Sequence, residues 1–332
     1  MSKQYLSANL IPLLKHMSDG RFYSGEDLAA HFSVSRATIF NLLREAENHG
    51  TRVHAVRGKG YRVASIFSWL DHALLESEIQ RLGLGYRLVS VAETESTNSQ
   101  LVAEAISGAP HRTLLYTDYQ HAGRGRRGRV WASTLGGGLT FSVLWRFDGG
   151  IGQLSGLSIA VGLALARALA TFSPIPIQLK WPNDLLAGYR KLGGILVDVQ
   201  GELAGPSFAV IGIGVNERLS DRHRQEIDQA VVDLAEMGVT VSRSDLMLSI
   251  LIELSEIMAR FEQDGIRSMI EEWSGYHAHE GREVVIRLPD GSTYTGIAGG
   301  LEENGNLLLT DVIGEKKRFA AGEVSLRVVA KK

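Results

Sequence analysis

The densest set of side chains that could do chemistry in this chain lies at residues 123–128, which read Gly-Arg-Gly-Arg-Arg-Gly. The spacing matches the G-x-G-x-x-G fingerprint of dinucleotide-binding proteins and is close to a phosphate-binding P-loop. Both motifs need a strand before the glycines and a helix directly after them. A strand is predicted at 112–120, but the glycines at 136–138 and the alternation at 139–145 predict a second strand instead of a helix. We therefore reject both motifs.

The four arginines of this segment still need an explanation, because like charges so close together repel one another. They are Arg124, Arg126, Arg127 and Arg129. Guanidinium groups form paired hydrogen bonds with phosphate and carboxylate oxygens, so we expect a loop that is mobile when empty and orders around an anion. On this segment alone, a solvated basic loop or a second nucleic-acid patch is an equally good interpretation.

Polar residues in other segments could complete a small-molecule site. Residues 96–100 read Ser-Thr-Asn-Ser-Gln at a predicted helix start, where they could bind a polar ring or could simply cap the helix. Residues 178–199 predict two strands joined at 187–190, which place Lys180 and Lys191 near strand ends. Residues 209–218 alternate, so that one face is apolar and the other offers open space at glycines and an amide at Asn216.

The first 66 residues carry a net charge of +4, whereas the whole chain carries −2. Helices are predicted at 3–17, from Ser24 onwards and at 36–49, the last one capped by Ser35 and followed by a hairpin whose tip is 57–60. This is the pattern of a winged helix-turn-helix, and a basic charge suits a polyanion. A small helical domain that contacts protein is the alternative.

The residues that we expect to bind DNA have side chains predicted to be exposed on the third helix or in the wing. They are Ser35, Arg36, Thr38, Phe40, Asn41, Arg44, Arg57 and Lys59.

Composition narrows the class of protein. No cysteine is present, which excludes disulfides, thiolate zinc sites and a cysteine nucleophile, and fits a reducing compartment. The N-terminus lacks the pattern of a signal peptide, so we expect a cytoplasmic protein that does not bind membranes. The apolar stretch 151–172 is long enough to span a bilayer, but Arg167 and the spacing of its leucines predict a helix buried in a globular core.

The C-terminal segment, residues 275–332, has short alternating strands separated by Pro-Asp-Gly, Glu-Asn-Gly-Asn and Ile-Gly-Glu turns. The pattern predicts a small β-barrel. The preceding stretch, 243–273, is predicted to be helical and to pack on the central domain.

These segments together resemble the biotin protein ligases, and with the basic N-terminal segment they resemble the bifunctional members that also repress the biotin operon. The matching motifs, in the family's order, are ESTN, YQHAGRGRRGRVW, KWPNDLL, KLGGILVD and VIGIGVN. The resemblance also includes VSRATIF, GKGY and the C-terminal GEVSLR, so it covers the whole chain.

The resemblance implies an α/β (α+β) fold in three parts. These are a winged helix-turn-helix at 1–66, a mixed sheet like that of class II aminoacyl-tRNA synthetases at 67–274, and an SH3-like barrel at 275–332. It further implies a ligase that forms biotinyl-5'-adenylate from biotin and ATP with Mg²⁺. Biotin is then transferred to a lysine of the biotin carboxyl carrier protein of acetyl-CoA carboxylase. The adenylate acts as corepressor, favouring a homodimer that binds operator DNA.

The resemblance also assigns residues to roles. The catalytic residues are Lys191, Arg124 and Arg126. Biotin and its adenylate are bound by Ser96, Thr97, Asn98, Gln120, Gly123, Arg124, Gly125, Arg126, Trp131, Lys191, Gly194 and Gly212. ATP is bound by Arg129, Lys180, Asn183, Asp184, Asn216 and Arg327. Magnesium accompanies ATP near Asp184, and no site made of protein ligands alone is expected.

Two other functions stay open from the sequence. One is a repressor that senses biotin without catalysis, and the other is a lipoate ligase, which shares the catalytic fold but by resemblance lacks the arginine-rich loop.

Overall fold

The computed structural model describes residues 5–64, 69–288 and 290–321, apart from the side chain at position 226, and the backbone of 325–328. The N-terminal part holds three helices and a hairpin. The bounds are α1 Leu10–His16, α2 Gly25–His31, α3 Arg36–Asn48, β1 Val53–Val56 and β2 Gly60–Val63. The predicted winged helix-turn-helix is therefore confirmed as a fold.

Local hydrogen bonds explain where these helices begin. The hydroxyl groups of Ser24 and Ser35 accept from the N–H groups of Asp27 and Thr38, each at 3.0 Å, which satisfies free donors at the first turn. The first helix was predicted too long. It begins at Leu10, because the N–H groups that would extend it are bound to side chains elsewhere.

The packing of the N-terminal part follows the predicted pattern. Ile39, Leu42, Leu43 and Ala46 are buried, as expected for the inner face of α3. At the wing tip Gly58 and Gly60 have φ of +80° and +95°, values that side chains disfavour.

The central part is built on a seven-stranded mixed sheet in the order β3-β4-β5-β9-β8-β7-β6. Its strands are β3 Arg87–Thr94, β4 Thr113–Gln120, β5 Gly138–Phe147, β6 Ile177–Lys180, β7 Asp184–Ala187, β8 Arg190–Gly201 and β9 Ser207–Asn216. The β3–β4 pair is parallel and the other pairs are antiparallel. The helices are α4 His72–Arg81, α5 Thr97–Ile106, α6 Leu157–Ala170, α7 Asp221–Glu226, α8 Arg243–Asp264 and α9 Ile270–Tyr276.

Helices cover both faces of the sheet. Helix α5 packs through Leu101 on one face, and α6 and α8 form the large core on the other. The apolar stretch is buried there as predicted, although α6 begins only at Leu157, after Gly156 turns the chain with a φ of +81°. Arg167 pairs with Glu253 at 2.6 Å and with Glu256 at 2.9 Å. Within the described part of the chain, no helix combines the length and apolar character needed to cross a bilayer.

The predicted number of strands in residues 178–199 was wrong. Residues 178–199 form parts of three strands instead of two, because the chain reverses between Lys180 and Asp184, which are paired across β6 and β7. Pro182 lies at this reversal and has no N–H to donate to a sheet.

The C-terminal part is a five-stranded antiparallel sheet in the order β13-β12-β11-β10-β14. Its strands are β10 Glu283–Arg287, β11 Thr293–Leu301, β12 Leu307–Thr310, β13 Lys316–Phe319 and β14 Ser325–Val328. Gly291, Gly305 and Gly314 have positive φ at the predicted turns. The predicted helical stretch before it is α8 and α9, separated by a 3-10 turn at Gly265–Met269.

The N-terminal part contacts the central sheet near the end of β4. Lys15 Nζ lies 2.8 Å from a carboxylate oxygen of Asp118, and the N–H of Leu6 donates to Glu93 at 2.9 Å. Leu135 of the central part is packed in the N-terminal core. The predicted boundary at 66/67 lies outside the described residues.

Candidate functional site

A cavity of about 910 Å³ lies over β9, β8, β7 and β6 and under the arginine-rich segment. Side chains or backbone from all four strands line it, as does the start of α5. Most of the residues that the sequence assigned to substrates meet here. These are Ser96, Thr97, Asn98, Gln120, Arg124, Gly125, Arg126, Arg129, Trp131, Lys180, Asn183, Asp184, Lys191, Gly194, Gly212 and Asn216.

The arginine-rich segment folds as a narrow hairpin between β4 and β5. The N–H of Gly125 donates to the carbonyl of Arg129 and the N–H of Trp131 donates to the carbonyl of Gly123, both at 2.8 Å. Its tip is a 3-10 turn at Arg126–Gly128. The next regular element is strand β5, so the helix that a dinucleotide loop or a P-loop requires does not follow. Mobility in the empty state stays a prediction.

Two of the arginines are held in defined positions across the cavity. Arg126 donates to Asn183 Oδ1 at 3.1 Å and also to the carbonyl of Ala321, at the end of the C-terminal sheet. Burial lowers the pKa of Arg126, an effect that Asp184 partly opposes. Arg124 lies 3.2 Å from a carboxylate oxygen of Asp198 on β8. The hairpin therefore bridges the central sheet and the C-terminal part.

The residues that line one end of the cavity are uncharged hydrogen-bonding groups, and the Asp198 carboxylate supports them from outside the lining. The N–H and hydroxyl of Thr97 donate to Gln120 Oε1 at 2.8 and 3.1 Å. Ser142 Oγ donates to Asn98 Oδ1 at 2.5 Å and lies 2.7 Å from Thr97 Oγ1, and Asn98 donates to Asp198 at 3.0 Å. Such a network fixes side-chain orientation and presents donors and acceptors to a polar ring. Ser96 caps α5 as well, since its hydroxyl accepts from Ser99.

Glycines make room for the groups that shape this end. A Cβ atom on Gly212 would collide with the amide of Asn98, and one on Gly214 would collide with the ring of Trp131. Gly194 is less constrained, because its Cβ would lie 3.4 Å from the Lys191 side chain. Gly123 does not line the cavity, but a side chain there would collide with the carbonyl of Trp131. The glycines of β9 thus position Asn98 and Trp131, so the space predicted beside them is partly filled.

Positive charge gathers in the middle of the cavity. Lys191 Nζ lies 2.7 Å from one carboxylate oxygen of Asp184, and Lys180 Nζ lies 4.0 Å from the other. Lys191 also lies 5.9 Å from the centre of the Trp131 ring. Asn216 donates to the carbonyls of Lys191 and Val232 at 3.3 and 3.2 Å, which fixes the backbone beside the lysine. Cations there can stabilise oxygens that gain negative charge.

Some assignments fall outside this geometry. Arg327 lies on β14, where its backbone pairs with Val285, but its side chain lies outside the described residues. Sequence reasoning missed Ser142, Asp198, Tyr189 and His279, which border the cavity or hold its residues in place.

Magnesium needs oxygen ligands, and we tested Asp184 and its neighbours for them. Within the described ranges, His, Asp and Glu side chains form no group of three that could hold a metal ion. Asp184 offers one carboxylate that two lysines already contact, while Asn183 Oδ1 accepts from Arg126. This set suits an ion that brings most of its ligands as phosphate oxygens and water, which is the usual mode of Mg²⁺ with nucleotides.

Most of the residues assigned to DNA are exposed, and Thr38 is partly exposed. Arg36, Phe40, Asn41 and Arg44 are exposed on α3, and the wing tip is exposed at Arg57 and Lys59. Ser35 and Thr38 bond to each other at 2.9 Å as part of the helix cap.

Family comparisons agree with this architecture. The model of the biotin/lipoate A/B protein ligase family matches residues 91–216, which span β4 to β9 and the arginine hairpin. A helix-turn-helix domain model matches 13–62, and the biotin protein ligase C-terminal domain model matches 279–327. The fold and the site together define a ligase of the biotin and lipoate class that carries a helix-turn-helix.

Full-length relatives define the family more narrowly. The bifunctional ligase/repressor BirA of Salmonella typhimurium is 32% identical over 96% of this chain and 97% of its own length. The Escherichia coli protein of the same name is 31% identical over 97% and 99%. Biotin protein ligase from Aquifex aeolicus, solved with biotin and ATP, superposes with a TM-score of 0.63 at 29% identity, over 73% of this chain and 99% of that one. The chain belongs to the family of bifunctional biotin ligase/repressors.

Proposed function

We propose that this chain activates biotin with ATP, giving biotinyl-5'-adenylate and pyrophosphate, and then transfers biotin to a lysine of a biotin carboxyl carrier protein. The observation that carries the proposal is the division of one cavity into an uncharged hydrogen-bonding end and a cationic middle. Biotin has an uncharged ureido ring and a carboxylate, so it matches both parts.

In the first step the biotin carboxylate oxygen attacks the α-phosphorus of ATP, and the bond to pyrophosphate breaks. We place the ring against Ser96, Thr97, Asn98 and Gln120, so that the carboxylate reaches Lys191. Arg124 and Arg126 then contact the carboxylate and the α-phosphate. Lys191 leaves its ion pair with Asp184 and contacts these oxygens instead. Preorganised cations reduce the barrier because they act where charge develops.

The second step needs a nucleophile from outside the chain. The lysine amine of the carrier protein attacks the carbonyl of the mixed anhydride, a C–N bond forms, and AMP leaves as the amine loses a proton. Gly125 and Trp131 enclose the adenylate until then, and Gly194 leaves room for it. Gly123 and Gly212 act indirectly, because they make room for the backbone of Trp131 and for the side chain of Asn98. No covalent bond to the enzyme is required.

The nucleotide lies toward the other strands of the sheet. We assign Arg129, Lys180, Asn183, Asp184, Asn216 and Arg327 to ATP. Magnesium supplies positive charge to the phosphates when bound, and Asp184 is the carboxylate that would hold it.

The N-terminal part supports a second activity, repression by binding operator DNA. We propose contacts from Ser35, Arg36, Thr38, Phe40, Asn41 and Arg44 in the major groove and from Arg57 and Lys59 to phosphates. The adenylate acts as corepressor by favouring a homodimer, which brings two recognition helices to two half-sites. The lack of cysteine supports work in the cytoplasm.

The ligase activity is tested by biotin-dependent exchange of labelled pyrophosphate into ATP, followed by transfer of biotin to a carrier-protein acceptor. We expect both reactions with biotin. Exchange that depends on lipoate would favour a lipoate ligase. No exchange with either acid, together with measurable biotin binding, would favour a repressor that only senses biotin.

The DNA activity is tested by measuring affinity for operator-containing duplex DNA at several salt concentrations. Phosphate contacts require the logarithm of the affinity to fall linearly with the logarithm of the salt concentration. Alanine at Arg57 or Lys59 should each reduce the slope by about one. A flat line would reject DNA binding through this surface.

A further inference from the structure

The cavity crosses the sheet in one direction. Going from β9 to β6, its floor passes Gly212, Lys191, Asp184 and Lys180. Neighbouring strands lie about 4.8 Å apart, so these strands span about 14 Å. Asn98 packs against Gly212 at the β9 end. The β6 end is therefore the part of the cavity farthest from the uncharged network.

His279 lies at this far end, where the chain enters the C-terminal sheet. The N–H of Ala278 donates to the carbonyl of Leu179 at 2.9 Å, which fixes the segment along β6. The imidazole lines the cavity together with Lys180. His279 is only 3% exposed, and its Nδ1 has no hydrogen-bond partner among the described residues. A buried polar atom without a partner is costly, so a rotation of the ring that turns Nδ1 toward the cavity would let a ligand there become its partner.

The charges around His279 indicate which ligand. Burial, together with the nearby Lys180, His277 and Arg282, lowers the pKa of His279 to about 4, so the ring is neutral at pH 7. Arg282 also contacts Tyr189 at the rim, donating to its hydroxyl at 2.5 Å. A neutral N–H donor flanked by cations suits an anion with several oxygens, such as a polyphosphate.

We propose that His279 binds the phosphate chain of ATP, and thus the departing pyrophosphate, at the end of the cavity opposite to biotin. The inference rests on the proposed ligase function, since it deepens the assignment of the nucleotide site. Through His279, the C-terminal part would contact the substrate directly.

The test compares three variants of the full chain. His279→Phe keeps an aromatic ring, slightly larger than imidazole, but removes the polar atoms, and His279→Gln keeps a hydrogen-bonding side chain. His277→Gln is the matched control, because His277 lies two residues away, is buried beside Glu280 and does not line the cavity. The KM values for ATP and for biotin are measured by pyrophosphate exchange, and inorganic pyrophosphate is titrated calorimetrically into each protein.

We expect His279→Phe to raise the KM for ATP about tenfold and to weaken pyrophosphate binding similarly, since a hydrogen bond to a charged group is lost. The KM for biotin should stay within about twofold, and His279→Gln should recover most of the loss. Equal KM values for ATP in wild type and in both His279 variants would overturn the inference. So would a parallel rise of both KM values with a lower melting temperature, because that pattern reports a structural role.

The titration separates this inference from the proposed function. If the wild type performs no biotin-dependent exchange, the ligase proposal fails. Weaker pyrophosphate binding by His279→Phe would then still support the phosphate contact, and unchanged binding would reject it.

Discussion

The ammonium group of Lys191 shares the carboxylate of Asp184 with Lys180. This arrangement makes Lys191 replaceable without leaving the partly buried carboxylate uncompensated, because Lys180 lies 4.0 Å from it. A variant at this position therefore reports on chemistry more than on folding.

For Lys191→Ala we expect adenylate formation to fall by about 100-fold or more, because a cation that stabilises developing charge is lost. Biotin affinity should fall by less than about tenfold, since the ring is bound at the uncharged end. Pyrophosphate exchange and biotin titration measure the two effects. Equal losses would make Lys191 only a binding residue.

Gly212 and Gly194 form a matched pair for testing the space that the ring needs. In Gly212→Ala the new methyl group would displace Asn98, so we expect biotin affinity to fall clearly and stability to drop by about 1–3 kcal/mol. In Gly194→Ala the new atom meets the flexible Lys191 side chain at 3.4 Å, so both effects should be smaller. Biotin titration and urea unfolding measure them, and the reverse order would contradict the packing.

Site residues were easier to predict from the sequence where their types interrupt the local hydrophobic pattern than where they fit into it. Four arginines in six positions are conspicuous, and so is Asn216 at the end of a glycine-rich strand. Ser142 is not, because a serine within the apolar alternation of β5 has no local sign of its partners Thr97 and Asn98, which lie over 40 positions away. His279 was missed for the same reason.

At the level of elements, the arginine hairpin depends on a few cross-cavity contacts. Arg126 is its most connected side chain, with bonds to Asn183 and to the C-terminal part. Arg127 is exposed, at a φ of +58° that glycine adopts more readily, so it offers a control with the same change of charge.

We expect Arg126→Gly to leave the fold intact but to release biotinyl-adenylate about tenfold faster or more, because paired contacts with an anion are lost. Arg127→Gly should release it at a nearly normal rate. Stopped-flow dissociation measures both variants, with circular dichroism as the check on folding. Unchanged release from Arg126→Gly would mean that the hairpin does not retain the intermediate.

The ends of helices and strands were predicted correctly where a local sequence signal marks them. The predictions were wrong where contacts with distant residues determine the end of an element. Ser24, Ser35 and the turn glycines mark ends that the structure confirms. The start of α1 is set instead by the bond of Leu6 to Glu93, which lies in another part of the chain. The third strand in 178–199 exists because the chain reverses at Pro182. The residues on both sides of Pro182 have the periodicity of a strand, so the sequence pattern did not indicate the reversal.

At the scale of the whole molecule, the N-terminal part is joined to the central part by its contact with β4. Asp118 is 6% exposed and its charge is balanced by Lys15 at 2.8 Å. Breaking a pair with one buried member leaves an uncompensated charge, which costs more than an exposed pair contributes.

We therefore expect Lys15→Ala to lower stability by about 1–3 kcal/mol in urea unfolding. Arg267→Ala is the control, because the Arg267–Glu303 pair is exposed at both ends and its loss should cost less than about 0.5 kcal/mol. Equal losses would indicate that the junction does not depend on this pair.

The same junction limits how the molecule can be divided. Asp118 faces the N-terminal part, while Gln120, two residues later on β4, holds Thr97 in the cavity. Leu135, 1% exposed, belongs to the N-terminal core although it lies in the catalytic part of the sequence. A shortened enzyme that starts after the wing would uncover an apolar side chain and an unpaired carboxylate beside its own substrate pocket. The DNA-reading module is thus part of the enzyme's scaffold, and its loss would have to be compensated by new surface residues on β4 and at position 135.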